Sequence, residues 1–130
     1  MNSPGLLVAR VTSIILFVIA VPILRGQDMV KVAPKNCKVL LNNDQVRVVR
    51  CVIKPQETLP VHSHLFNIWM PLDPAKLRIT PSDGQPEDRE VKANQAYWSE
   101  PVTHKIENIG TTQYRSLIVE LKKEKSADKK

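Results

Sequence analysis

Beyond residue 30 the chain alternates short runs of apolar and β-branched residues with clusters of Pro, Asn, Asp and Gly. No window there carries the 3.6-residue periodicity of an amphipathic helix. The runs predict strands over residues 38–42, 46–53, 62–72, 76–80, 87–91, 95–99, 103–108 and 114–121, with Pro71 a possible break in the third. Turn signals separate them: Asn43-Asp44, Lys54-Pro55, Asp73-Pro74, Pro81-Ser82-Asp83-Gly84, Asn94, Glu100-Pro101 and Asn108-Ile109-Gly110. About eight short strands predict an all-β sandwich or barrel. Alternation puts Val49, Cys51 and Ile53 on one face of their strand. In the last strand it groups Leu117, Val119 and Leu121, leaving Glu120 pointing away.

Residues 1–26 have a different character. Arg10 precedes an uncharged stretch over 11–24, shorter than the roughly 20 apolar residues that span a bilayer. This is the pattern of a signal helix with cleavage near Gly26, which makes the protein exported, periplasmic or secreted. The alternative is an uncleaved membrane anchor over residues 6–24, interrupted by Arg10 and Pro22. Residues 27–36 read as an extended lead-in, 37–122 as the folded domain and 123–130 as a charged, solvated tail.

The chain of 130 residues has room for one domain, and its net charge of +6 comes mostly from its ends. Residues 1–26 hold Arg10, Arg25 and no acid, and residues 122–130 hold five lysines against Glu124 and Asp128. The body is nearly neutral and lacks the basic face that gripping a phosphate backbone requires, so a nucleic-acid partner is not expected. No GxGxxG or GxxxxGK[ST] phosphate loop is present.

Export gives Cys37 and Cys51 two open readings. An oxidising compartment permits a disulfide, and a hairpin with loop residues 43–45 sets the two side by side. A register shift of one residue would separate them, leaving buried free thiols.

The chain has three histidines: His62, His64 and His104. The first two are spaced i, i+2 in a strand, so both imidazoles share a face about 6–7 Å apart. His104 lies in another predicted strand that a barrel can bring alongside. Three neutral nitrogen donors suit a divalent transition metal such as iron, zinc, manganese, nickel or copper, rather than calcium or magnesium. The alternative is a set of hydrogen-bonded polar residues without an ion.

The segments KPQETLPVHSH, the Asp83-Gly84 turn, NQAYWSEPVTHKIENIG and the closing VELK resemble a small single-domain cupin, over most of residues 37–122. The resemblance implies a jelly-roll barrel (a double-stranded β-helix). It also puts His62, His64 and His104 on metal-ligand positions and Asn108 on the closing Asn of the second motif. The family's glycines fall at Gln56 and Asn94, and its carboxylate ligand would fall at Ile68 or Trp69, neither of which binds metal. The implied site is therefore three histidines with open positions for water or substrate.

Alternation from the His pair predicts a small-molecule pocket lined by Phe66, Ile68 and Met70, with Asn108 nearby. Tyr97 and Trp98 are expected in barrel packing, Glu57 and Glu100 in surface turns, and Arg47 and Arg50 on the rim or outer face. Three functions remain open: a metalloenzyme of dioxygenase-like or hydrolytic type, a metal-free module for a small ligand, and a homodimer formed through a sheet face with Trp69 as a contact. No inward-pointing general acid or base is assignable.

Overall fold

A computed structural model describes residues 27–122. The predicted signal segment and the charged tail lie outside the described residues. The elements are a short helix α1 (Met29–Val32) and strands β1 (Cys37–Asn42), β2 (Val46–Ile53), β3 (Thr58–His64), β4 (Asn67–Pro71), β5 (Ala75–Pro81), β6 (Glu87–Val91), β7 (Tyr97–Ser99), β8 (Val102–Asn108) and β9 (Tyr114–Leu121). They form two antiparallel sheets, β1-β2-β9-β4-β7 and β3-β8-β5-β6. Each sheet buries one face against the other, and Val49, Cys51 and Ile53 meet Leu59, Leu77, Tyr114 and Ile118 between them.

Local chemistry explains the connections. Asn43 closes the β1–β2 turn by accepting from the Gln45 and Val46 amides, each at 2.9 Å. Cys37 stands opposite Cys51 in that hairpin, and the two are joined by a disulfide. The backbone is left-handed at two non-glycine positions, Gln56 (φ 64°) and Asn94 (φ 61°). These are the positions where the resemblance expects glycine, the residue that adopts this conformation without steric cost.

Four expectations are corrected. The single run over 62–72 is two strands in different sheets, joined by a reversal at Leu65-Phe66. The reversal inverts the alternation beyond it. Asn67 and Pro71 are buried, whereas Phe66 and Ile68 are each 39% exposed and Met70 is only half-buried. Residues 27–36 are not an extended lead-in, because Asp28 caps α1 by accepting from the Val30 and Lys31 amides. Its neighbour Met29 is 1% exposed and packs into the core beside Cys51. Nor does Glu120 point away. The inner face of β9 is Tyr114, Ser116, Ile118 and Glu120, all buried.

The apolar set assigned inward on β9 belongs to the outer face. Val119 stands opposite Val48 and Ile68, with Leu41 and Trp98 beyond them, and makes an apolar row across all five strands. Trp98 is 56% exposed at the sheet edge, against Phe66, and so is not barrel packing.

Candidate metal centre

Two neighbouring strands carry the three imidazoles. His62 and His64 occupy alternate, inward positions of β3, and His104 of β8 stands directly opposite His62. A bulge between Leu59 and His62 shifts the register just before the pair. The ring centroids lie 4.9 Å (His62–His64), 4.8 Å (His62–His104) and 5.2 Å (His64–His104) apart. One nitrogen from each ring falls within 4.8 Å of the others, so the three are positioned to hold one metal ion.

Hydrogen bonds fix which nitrogens face one another. His62 Nδ1 lies 2.6 Å from the Pro60 carbonyl oxygen, which can only accept, so this nitrogen carries the proton. His64 Nδ1 lies 3.2 Å from a carboxylate oxygen of Glu120 and donates to it for the same reason. With Nδ1 so occupied, Nε2 is the nitrogen of each ring left to face a metal. Burial pushes the His62 imidazolium down to about 4, and the opposing pull of the Pro60 carbonyl does not offset it. Burial, with the two neighbouring imidazoles, pushes His104 to about 3. Both rings are neutral near pH 7, the state in which imidazole binds metal. The buried Nε2 atoms of His62 and His104 have no hydrogen-bond partner. A buried polar atom left without a partner calls for one, and a bound ion would supply it.

The site opens on a cavity of about 250 Å³ between the sheets. Leu59, Leu77, Ile79, Ile106 and Trp69 form apolar walls, and Met29 and Cys51 also line it. Tyr114 and Ser116 add hydroxyls, and Glu87 and Arg89 line it from exposed positions on β6. Burial drives the Tyr114 phenol up to about 12, so it is a hydrogen-bond donor at neutral pH.

Phe66, Ile68, Met70 and Asn108 do not line this cavity. The first three are turned away by the reversal at Leu65-Phe66. Asn108 is fully buried but structural: its amide donates to the Ile53 (3.0 Å) and Thr112 (2.8 Å) carbonyls, and its oxygen accepts from the Gly110 amide at 3.0 Å. Trp69, expected as an outward contact, lines the cavity and stacks on Tyr97 at 4.4 Å. Glu57 and Glu100 serve surface turns, where they accept from the Lys54 amide and the Trp98 indole. Arg50 is exposed.

Arg47 and Glu120 differ most from expectation. They stand opposite each other on β2 and β9, and Arg47 Nε and Nη2 both reach Glu120 Oε2 at 2.6 Å. The third guanidinium nitrogen binds Asp28. Burial alone would raise the Glu120 carboxyl, but the bonds from His64 and Arg47 outweigh it and hold the group ionised. The available sequence signal was a Glu of the same alternation as Tyr114, Ser116 and Ile118.

No protein-family model matches this sequence, and no curated protein sequence does. Solved structures match in fold. A cupin domain from Bordetella pertussis Tohama I superposes with TM-score 0.63 at 20% identity, covering 67% of this chain and 92% of that one. A RmlC-like cupin with a double-stranded β-helix from Methanocaldococcus jannaschii gives TM-score 0.56 at 18% identity over 66% and 78%. A cupin-superfamily protein from Desulfitobacterium hafniense DCB-2 gives 0.53 at 15% over 67% and 76%. With two antiparallel sheets of five and four strands closed around an inner cavity, the described residues adopt the double-stranded β-helix fold of the cupin structures they superpose on.

Proposed function

We propose that this protein is an exported metal-dependent cupin that holds one divalent transition ion on the Nε2 atoms of His62, His64 and His104 and acts on a small molecule in the adjoining cavity. The observation that carries this reading is the pair of buried, partnerless Nε2 atoms on His62 and His104, in neutral rings that converge with a third. The donor set fits iron, zinc, manganese, nickel or copper. Such an ion, when bound, supplies Lewis-acid chemistry or, if redox-active, dioxygen chemistry.

The chain's own residues do the rest. The apolar walls exclude water, Tyr114 offers a protonated hydroxyl, and the carbonyl and carboxylate behind His62 and His64 hold those rings in one tautomer. The disulfide suits an oxidising compartment, which supports export through residues 1–26.

Elemental analysis of untagged protein tests the reading. We expect one transition-metal equivalent in the parent and its loss in both His62→Ala and His104→Ala. Parent protein that carries no metal and takes none up from micromolar zinc or iron refutes it. A second reading, a metal-free ligand-binding or dimerising module, draws on the outer apolar row from Leu41 to Trp98. It predicts a metal-free dimer by light scattering.

A further inference from the structure

We infer that Glu120 is a positioning residue of the metal centre, which orients His64 from behind and supplies the negative charge that three neutral imidazoles lack. The inference rests on the metal-binding reading above. The Glu120 side chain is 3% exposed, and a carboxylate buried that deeply persists only when hydrogen-bonded and paired. Its two oxygens divide the work. Oε2 takes both donors from Arg47, which leaves Oε1 aimed at His64 Nδ1. With Nδ1 committed to that bond, His64 turns Nε2 toward the other two rings.

Glu120 is not itself a candidate ligand. The group of mutually close metal-binding atoms among the described residues holds only the three histidines. The charge therefore reaches the site through the ring: a carboxylate on one imidazole nitrogen makes the other more basic toward a cation. The position where the resemblance expects a first carboxylate ligand carries Ile68 or Trp69 instead. Here the anion comes from the last strand and stands one residue further from the ion.

Arg47 extends the chain outward. It holds Glu120 with one edge and Asp28, the cap of α1, with another, while Met29 of α1 lines the cavity. The docking of the segment before β1 and the orientation of His64 thus share one run of hydrogen bonds. An Arg–Glu pair with a purely structural role would not require His64 as a third member.

The test uses the full chain and two measurements. The first is zinc affinity of the parent and Glu120→Gln, by competition with a chromophoric chelator, with circular dichroism as the check on folding. The amide keeps an oxygen for His64 but removes the charge. We expect affinity to fall roughly 10- to 100-fold. The second is imidazole nitrogen NMR of the zinc-loaded parent, which should show His64 protonated at Nδ1 and bound through Nε2. Folded Glu120→Gln within twofold of the parent overturns the inference, as does His64 bound through Nδ1. Should Glu120→Gln not fold, the NMR result decides alone. Parent protein that carries no metal and binds neither zinc nor iron instead defeats the metal-binding reading, which separates the two failures.

Discussion

Acidifying the metal-free protein probes the histidine cluster directly. His62 and His104 are held at about 4 and about 3 in the folded chain, against 6.5 when freely solvated. The unfolded chain therefore takes up protons that the folded chain refuses. Their contribution to stability is whole above pH 6.5 and is lost as pH falls from there toward the folded values. Between about pH 7 and pH 5 each imidazole accounts for just under ~2 kcal/mol, or about 3–4 kcal/mol together. That is a large share of the roughly 5–15 kcal/mol by which domains are usually stable, and corresponds to a fall in Tm of about 15–30 °C. The carboxyls of Asp28, Asp73, Asp88 and Glu120 all lie below their ordinary values, so their contributions disappear only under more acidic conditions. The assay is urea unfolding in chelator across this window, for the parent and for a His62→Gln/His104→Gln double variant. The double variant should show a much flatter dependence. An unchanged slope in that variant, or a parent loss below about 1 kcal/mol, refutes the assignment of neutral buried rings.

Asn108→Ala removes three hydrogen bonds at a fully buried position and should cost about 2–4 kcal/mol in urea unfolding while leaving zinc stoichiometry at one. Loss of zinc without loss of stability would return Asn108 to the site. Replacing both Cys37 and Cys51 with serine opens a loop closed over a 14-residue separation and should cost about 3 kcal/mol, measured the same way. Gln56→Gly relieves a left-handed backbone and should raise stability by about 1 kcal/mol, less what its side-chain bond to the Gly110 carbonyl contributes. Unchanged or lower stability would show that this bond outweighs the strain.

Much of the fold was legible because turn chemistry is local. Asn43, Pro55, Gly84 and Asn94 mark connections by what their backbones can do, and strands 46–53, 87–91 and 114–121 match the observed bounds. The three histidines were legible for a similar reason: two share a face by spacing alone, and the fold supplies the third. The reversal at Leu65-Phe66 was not, because its residues are apolar and carry no Gly or Pro. Missing it inverted the phase of β4, which sent Phe66, Ile68 and Met70 inward and Trp69 outward. Glu120 was missed through a different physical effect. Along β9 the outer face (Leu117, Val119, Leu121) is more apolar than the inner one (Ser116, Ile118, Glu120), so hydrophobicity pointed the wrong way there. The default that a charge seeks solvent then chose the wrong side. Arg47, its partner 73 residues away, was likewise assigned to the rim.

The short helix ahead of the barrel changes where the working unit begins. Met29 lines the cavity and Asp28 ends the chain of bonds that leads to His64. A version trimmed to start at Cys37 would keep all nine strands and all three imidazoles, yet it would lose a methionine from the cavity wall and the carboxylate that anchors Arg47. Water would then enter where that side chain had been, and the vessel would leak with its metal ligands still in place.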